Sequence, residues 1–564
     1  MTGTFIPPTW AMGNGDNFVL TASGVAGRNG PWACPGNIAL EARRKGGTLQ
    51  PKDNSRWQPT WDKSEQLFFA LRDGLDALQR GDAVPDAAAI NTNLTVAQRR
   101  FVTHALQELE ELDELVAEAV GLRLEYQQGS TDFYRRGWGQ IKLTGPEYAN
   151  DDDSVREAVR LAYKPFREPL PAHLLDFAAV AAMALASDRP ERTRIRVSEF
   201  SLADGDYRTL FDGTPAQAKD LYGSRTDPER GHLVAQALSG VGVEGHALAP
   251  GSACGSCWFL QVCPGPQRLP SALGIDKAVA TRALSSTDLS LYDECPTKFH
   301  SQRRSHLPTR YAEGGETEDF TPRNRGVATH EFLRWAHSRE AHSNCTEADL
   351  PDPSTQPDEV ATLLAETGSD AAAYALARPY LLGHVQHCIV GFDGLTDVTV
   401  EPRHVIYDEY ADVVLSVEPD VTLRSGPTSH IWRETKTRGF APPRDEFEAL
   451  NAYPAFAVHV TLLAAGAGGN GRDDGAAELE VLTPNAEDSR LYVVPMSDGA
   501  LVAHAQKLVA SIAIRWAQDL TFAPKPSSAC TRCPMHGWCD PPPVAAVAHR
   551  EPDDREFLGV EDPF

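Results

Sequence analysis

Six cysteines in two matching spacings are the residues most able to do chemistry. The segments 252-SACGSCWFLQVCPG-265 and 528-SACTRCPMHGWCD-540 both carry a C-x2-C-x5-C pattern. Thiolates at such intervals bind a metal ion or an iron–sulfur cluster, and these sites commonly take four ligands. Each segment therefore predicts a site that needs a fourth ligand from elsewhere in the chain. The six residues are Cys254, Cys257 and Cys263, and Cys530, Cys533 and Cys539.

Two upstream cysteines are candidates for the missing ligands. Cys34 and Cys295 each stand in a Cys-Pro dipeptide that precedes an amphipathic, basic segment. Each half of the chain then offers one cysteine near its start and three near its end. Cys345 and Cys388 are left over. We give these two no role and expect them to be buried, unreactive thiols.

A second reactive group lies in the segment 417-VEPDVTLRSGPTSHIWRETKTR-438. Apolar residues alternate on both sides of a Ser-Gly-Pro turn, which predicts a β-hairpin. Glu434 and Lys436 then share one face, and pairing across the turn brings Asp420 beside Glu434. Two close carboxylates suit a hard cation such as Mg²⁺, and a neighbouring lysine can orient or deprotonate a water. The alternative is a surface hairpin with a cross-strand salt bridge.

The elements that must position these residues recur in two halves. Residues 193–211 and 477–495 each have the pattern of a strand, a polar turn and a strand, and a predicted helix then leads to a cysteine triplet. Such self-similarity indicates a duplicated unit. We therefore predict two copies of one α/β module, at 1–275 and 276–540. The Pro-rich, acidic tail at 541–564 is predicted to be disordered.

The first copy is predicted to have lost its active site. Aligning the copies matches Glu157 with Glu434 but places Val159 where Lys436 stands. No acidic residue convincingly takes the position of Asp420. The alternative is a different alignment, in which an acidic cluster a few residues before Glu157 supplies the carboxylates.

Composition limits the class of protein. A chain of 564 residues suggests two to four domains. A net charge of -25 argues against a broadly basic surface for nonspecific nucleic-acid binding, although a local basic groove remains compatible. The sequence has no secretion signal, and no apolar run reaches the roughly 18 residues of a membrane-spanning helix. We expect a cytoplasmic protein that does not cross a membrane.

The ordered motifs of the second half resemble the PD-(D/E)XK nuclease superfamily, in its RecB-like branch with an iron–sulfur cluster, to which CRISPR adaptation nucleases belong. The resemblance covers about 290–540. It implies two tandem modules of the restriction-endonuclease-like fold, each a mixed central sheet flanked by helices with a cysteine-bound cluster. The motifs that carry it are 289-LSLYDECPTKF-299, 326-GVATH-330, the Pro419-Asp420 pair, 434-ETK-436 and the last three cysteines.

The resemblance also implies a role for each matching residue. His330, on a helix that we predict to start at this histidine, becomes a ligand of Mg²⁺ or Mn²⁺, as do Asp420, Glu434 and the Thr435 carbonyl. Lys436 becomes the catalytic lysine, acting with Asp420 and Glu434. Tyr453 is carried over as a DNA contact, although the family's glutamine four residues earlier is Ala449 here. A [4Fe–4S] cluster is expected on Cys295, Cys530, Cys533 and Cys539, and a second on Cys34, Cys254, Cys257 and Cys263.

The implied activity is hydrolysis of DNA phosphodiester bonds, as an exonuclease on single strands or ends, in DNA repair, recombination or anti-phage defence. The chain has no G-x4-G-K-[ST] phosphate loop, so any unwinding is expected from a separate helicase or translocase. Two alternatives stay open at this point. The four-cysteine sites could hold zinc, and the chain could be a non-catalytic DNA-binding scaffold subunit of a larger complex.

Overall fold

The computed structural model places the chain in two units, each with its own sheets and helices. The first unit is Met1–Gly265 with His300–Arg310 and Gly537–Asp540, and the second is Pro266–Phe299, Tyr311–His536 and Pro541–Phe564. The structure describes residues 11–12, 19–21, 34, 49–50, 63–82, 93–127, 132–136, 139–189, 191–225, 249–251, 254–255, 257, 260–275, 279, 283–311, 321–339, 345–388, 395–425, 429–468 and 475–539. The predicted tail at 541–564 lies outside them.

The described part of the first unit combines helices with short and long strands. The helices are α1 (Lys63–Gln79), α2 (Val96–Leu109), α3 (Leu112–Val120), α4 (Ala172–Asp188) and α5 (Pro215–Arg225). The strands are β1 (Ala11–Met12), β2 (Val19–Thr21), β3 (Leu49–Gln50), β4 (Glu125–Gln127), β5 (Asp132–Arg136), β6 (Gly139–Leu143), β7 (Glu147–Ala149), β8 (Val155–Ala162), β9 (Arg194–Ser201) and β10 (Tyr207–Gly213). A capping box formed by Thr95 and Gln98 starts α2.

The second unit has the larger hydrophobic core. Its helices are α6 (Ser286–Glu294), α7 (Pro296–Phe299), α8 (Thr321–Ser338), α9 (Pro357–Thr367), α10 (Ala371–Val385), α11 (Glu446–Ala452), α12 (Pro454–Ala464) and α13 (Gly499–Gln518). Its strands are β11 (Gln267–Arg268), β12 (Ala283–Ser285), β13 (Leu395–Val400), β14 (His404–Asp408), β15 (Val413–Val417), β16 (Val421–Ser425), β17 (Ser429–Thr437), β18 (Ala476–Leu482) and β19 (Arg490–Pro495). Helix α12 is predominantly apolar and buried along its length, as expected for a helix at the centre of a core.

Each unit contains a five-stranded sheet, and the two sheets have the same order of strand senses. The order is β10-β9-β8-β7-β4 in the first unit and β19-β18-β17-β16-β13 in the second. In both sheets one parallel pair, β8 with β9 and β17 with β18, stands among antiparallel pairs. The predicted mixed α/β class and the two strand–turn–strand segments are therefore confirmed.

Close packing between α10 and the segment after β18 requires a glycine. A Cβ atom on Gly383 would lie 2.2 Å from Ser489 Oγ, so a larger residue would push helix and segment apart. The next residue of α10, His384, is thereby held against Glu480 on β18. Among the described residues, no helix is both long and apolar enough to cross a membrane.

Candidate active site

The hairpin of β16 and β17 brings the two predicted carboxylates to neighbouring positions. The strands are antiparallel and pair Val421 with Arg433. Asp420 directly precedes β16 and Glu434 directly follows Arg433, so they are the next residues along the ladder. The hairpin is confirmed, while residues 426–428 of its turn lie outside the described residues.

Asp420 is held from two sides. The backbone N–H of Thr435 donates to Asp420 Oδ2 at 2.6 Å, and His330 Nδ1 lies 3.1 Å from Asp420 Oδ1. Burial raises the pKa of Asp420, but the charges of His330 and Lys436 and the two hydrogen bonds outweigh burial and hold it below its ordinary value. The Asp420 side chain keeps 20% of its surface exposed, so a small ligand can still reach the carboxylate.

His330 lies in the middle of its helix. Sequence patterning predicted that the helix would start here, but α8 begins at Thr321. The first turns, TPRNRG, lack apolar periodicity, which hid them, although proline in the first turn is compatible with a helix start. The central position fixes His330 more firmly than a helix end would.

Glu434 is the more buried carboxylate. Its side chain is 9% exposed, and Lys436 Nζ lies 2.7 Å from Glu434 Oε1. On the inner side, His459 Nδ1 on α12 lies 3.9 Å from Glu434 Oε2, too far for a hydrogen bond. Neither ring nitrogen of His459 has a hydrogen-bond partner among the described residues. Burial lowers the pKa of His459, and the nearby Glu434 only partly opposes this.

A further carboxylate, Glu401, was missed by sequence reasoning. It stands just after β13 with a φ of 46°, a left-handed conformation unusual for glutamate, and its N–H donates to the Asp420 carbonyl at 2.9 Å. Burial raises the pKa of Glu401, Arg334 lowers it, and the charge of Asp420 raises it. No sequence motif marks Glu401, because only the pairing of β13 with β16 brings it to the site.

The donor set fits a divalent cation. Two carboxylates stand at neighbouring positions of the hairpin ladder, and one of them, Asp420, is partly exposed. Carboxylate and backbone carbonyl oxygens are the ligands that Mg²⁺ and Mn²⁺ prefer. Asp420, Glu434 and the carbonyl of Thr435 could therefore hold such an ion, with His330 beside them.

Tyr453 is placed in the core. It caps the start of α12 and is 4% exposed. Burial raises its pKa, and a hydrogen bond with Arg438 opposes the rise. The contact with DNA stays a prediction, while the described structure gives the ring a packing role.

Three of the four cysteines predicted for the C-terminal site are neighbours in the second unit. Burial, together with the nearby Cys295 and Cys530, raises the pKa of the Cys533 thiol to about 12, and the Met535 N–H opposes the rise. Backbone N–H groups also point at the sulfurs, from Ser527 to Cys530 and from Met535 to Cys533, both at 3.4 Å. The fourth predicted ligand, Cys539, belongs to the first unit.

The N-terminal set lies wholly in the first unit. Cys34, Cys254 and Cys257 are buried, and Cys263 is half-buried. Burial, together with the neighbouring Cys34 and Cys263, raises the pKa of Cys254 to about 11 against the opposing effect of the Gly251 N–H. That backbone N–H lies 3.4 Å from Cys254 Sγ. The fold thus brings Cys34 close to Cys254, a member of a triplet that follows it by more than 200 residues.

Glu157, the predicted counterpart of Glu434, is enclosed in the first unit. It is fully buried and binds Arg196 at 3.2 Å, Ser198 at 2.5 Å, and the hydroxyl of Tyr207. The residue paired with Glu157 on β7 is Tyr148, so the neighbouring strand offers a phenol there and not a second carboxylate. An arginine thus contacts the glutamate in the first unit, where a lysine contacts it in the second.

Two carboxylates of the acidic cluster before Glu157, those of Glu147 and Asp153, are bound by arginines. Asp153 contacts Arg156, Arg189 and Arg192 at 2.7–3.4 Å, and Arg156 also binds Glu147 at 2.7 Å. Carboxylates saturated by guanidinium groups are poor candidates for a cation site.

Sequence reasoning also missed a group of histidines and cysteines in the second unit. His337, Cys345, His384 and Cys388 are all buried, and one ligand atom of each lies within 4.8 Å of the others. The two cysteines are buried as predicted, but they do not lie in purely apolar surroundings. A His-x7-Cys and a His-x3-Cys spacing were the available signals, and neither is a recognised knuckle.

Comparison with protein families places the site in a known superfamily. Residues 283–540 match the PD-(D/E)XK nuclease superfamily, so this part of the chain is a domain of that superfamily. Comparison with curated proteins gives no match to the chain. Members of the superfamily are generally nucleases that use divalent metal ions, which supports a phosphodiester hydrolase acting on DNA.

Proposed function

We propose that the chain is a metal-dependent DNA nuclease whose active site is formed by Asp420, Glu434 and Lys436. The observation that carries the proposal is the arrangement of these three side chains on one hairpin inside a nuclease-superfamily domain. A surface hairpin with a simple salt bridge accounts for Lys436 and Glu434. It does not account for a second carboxylate, Asp420, held beside them by His330 and a backbone N–H.

The proposed roles follow from the contacts. Asp420 and Glu434, with the Thr435 carbonyl and His330, hold Mg²⁺ or Mn²⁺. The bound ion would polarise a phosphate oxygen and lower the pKa of a bound water. Lys436, with 30% of its side chain exposed, reaches from Glu434 towards solvent, where it orients a water and balances phosphate charge.

We further propose a [4Fe–4S] cluster on the C-terminal cysteines and a second one on the N-terminal set. Each set has one cysteine upstream and three downstream, whereas zinc sites usually show two C-x2-C knuckles. This arrangement supports a polynuclear cluster, in which each thiolate binds a different iron. The cluster would fasten the end of the module to its start.

The first unit is proposed to be a degenerate copy of the nuclease module. The shared strand order of the two five-stranded sheets supports the duplication, and the pairing of Glu157 with Arg196 supports the loss of activity. Single-stranded DNA or DNA ends as substrate, exonucleolytic cleavage, a helicase or translocase partner, and a role in repair or defence belong to this proposal through the RecB-like resemblance.

Cleavage of labelled single-stranded DNA by the full chain tests the proposal. We expect cleavage with Mg²⁺ or Mn²⁺ and none with a chelator present. Glu434→Gln keeps the side-chain shape but removes the charge, and should reduce cleavage at least 100-fold. The matched control is Glu487→Gln, at an exposed position away from the site.

Two outcomes would overturn the proposal. Intact DNA with every divalent ion, together with tight DNA binding, would favour a non-catalytic scaffold subunit. Equal cleavage by the wild type and by Glu434→Gln would place the activity at another site or in a contaminant.

A further inference from the structure

Four metal-binding side chains meet inside the second unit, apart from the hairpin and from the cysteine triplets. They come from three places in the chain: helix α8, the segment before α9, and the end of α10. All are shielded from solvent, with 1–6% of each residue exposed. The four residues, called the His/Cys tetrad below, are His337, Cys345, His384 and Cys388.

The distances within the tetrad are those of a tetrahedral zinc site. Zn–N bonds of about 2.05 Å and Zn–S bonds of about 2.3 Å give N···N edges of about 3.3 Å and N···S edges of about 3.6 Å. His337 Nε2 lies 3.2 Å from His384 Nε2, and Cys388 Sγ lies 3.7 Å from His337 Nε2. Both observed edges agree with the tetrahedral values.

The groups around the tetrad are those that support a bound metal. His384 points Nε2 at the tetrad and directs Nδ1 to both oxygens of Glu480, each at 2.8 Å. A carboxylate behind a histidine ligand fixes its tautomer and raises its basicity. The Cys345 N–H also donates to Cys388 Sγ at 3.4 Å, as backbone amides do to thiolates.

Ordinary core packing does not explain this arrangement. A packed core fills space with apolar groups, and a buried polar atom without a partner costs free energy. His337 Nδ1 is buried and has no hydrogen-bond partner among the described residues. Two imidazoles with their Nε2 atoms 3.2 Å apart either share one proton, with one ring as donor and the other as acceptor, or direct both lone pairs at a cation.

We propose that the His/Cys tetrad binds one Zn²⁺ ion in a closed, structural site. Two histidines and two cysteines form a complete tetrahedral ligand set with no open position for substrate, which is the mark of a structural zinc site. The site is separate from the proposed nuclease chemistry and stands or falls independently of it.

The zinc site would position the nuclease hairpin. His337 lies two turns after His330 on α8, so an ion at the tetrad holds the helix that carries His330. Behind His384, Glu480 accepts a hydrogen bond from Thr435 Oγ1 at 3.1 Å. The tetrad is thus connected to β17, the strand that presents Glu434 and Lys436.

Metal content per chain tests the proposal. Full-length protein is purified without a chelator or a metal-binding tag, and zinc and iron are measured by mass spectrometry. Cys388→Ser and His384→Gln should each lose about one zinc per chain relative to the wild type, with iron unchanged. His504→Gln, which alters a histidine on α13 that binds Asn451, should keep the wild-type zinc content.

Equal zinc content in the wild type and in Cys388→Ser would overturn the proposal, as would a Cys345–Cys388 disulfide found in the native wild type. If the ligand variants do not fold, the wild type alone still decides. Removing zinc with a chelator should speed amide hydrogen exchange at 330–339 and 383–388, and leave α2 unchanged. Unaltered exchange in those segments after zinc release would also reject the site.

Discussion

Replacing Lys436 with methionine separates a catalytic lysine from one that only stabilises the fold. Methionine keeps an unbranched side chain of similar length and removes the ammonium group. That group lies 2.7 Å from Glu434 Oε1 and is the cation nearest to this carboxylate on the hairpin. We expect the Lys436→Met variant to fold and to bind DNA but to cleave it very slowly.

The two expected magnitudes differ widely. The Lys436 side chain is 30% exposed, so solvent screens its ion pair with Glu434 and the loss of stability should stay below about 1 kcal/mol. In a unit of this size such a change shifts Tm by less than about 4 °C. A positioned proton-transfer group, by contrast, contributes roughly 10²–10⁴-fold to a rate, or about 3–5 kcal/mol of activation free energy.

The assay measures kcat and KM for labelled single-stranded DNA together with Tm, at saturating Mg²⁺ or Mn²⁺. Lys507→Met is the matched control, because Lys507 is exposed on α13 and lies outside the site. The expected result is a large fall in kcat, a small change in KM and a nearly unchanged Tm. A kcat within threefold of the wild type would refute the catalytic role, and a fall in activity that follows a fall in Tm would assign Lys436 to the fold.

Two further predictions concern packing and the first unit. Glu157→Gln leaves the buried Arg196 with one fewer anionic partner and should lower the free energy of unfolding, measured by denaturant titration, by about 3 kcal/mol. The folded variant should still cleave DNA at the wild-type rate. Loss of cleavage in a variant with an intact fold would instead show that the first unit is catalytic. Gly383→Ala should lower the free energy of unfolding by about 1–3 kcal/mol, because the new Cβ would collide with Ser489. The control Gly499→Ala, with open space around its Cβ, should leave the free energy of unfolding unchanged. Equal stability of the two variants would contradict the close approach of Gly383 to Ser489.

Local patterns in the sequence were sufficient to predict the hairpin and the strand–turn–strand segments. Alternating apolar residues define which face of β16 and β17 is buried, and a side-chain period of two places Glu434 and Lys436 on one face. The ion pair between these two residues agrees with that placement. The start of α8 was harder to locate, because its first turns carry no apolar period and helix starts there depend on tertiary packing.

Contacts between distant elements were beyond the sequence patterns. Glu401 and His459 reach the hairpin from β13 and α12, and no local motif distinguishes them from other acidic or core residues. The His/Cys tetrad is spread over residues 337–388, with helix α9 inserted between its members. Zinc knuckles reveal themselves by short spacing between ligands, whereas here the packing of α8 against α10 creates the site.

Under the proposed duplication, the two five-stranded sheets indicate how one copy of a nuclease module can lose its chemistry and keep its fold. In the second unit Lys436, with 30% of its side chain exposed, lies 2.7 Å from Glu434. In the first unit Glu157, the predicted counterpart of Glu434, is fully buried and bound by Arg196, whose guanidinium is always charged. A buried arginine neutralises the charge of the glutamate, as a bound metal ion would, but it has no open coordination position for a substrate. Replacing a bound metal ion with an arginine side chain would therefore preserve the sheet while ending hydrolysis.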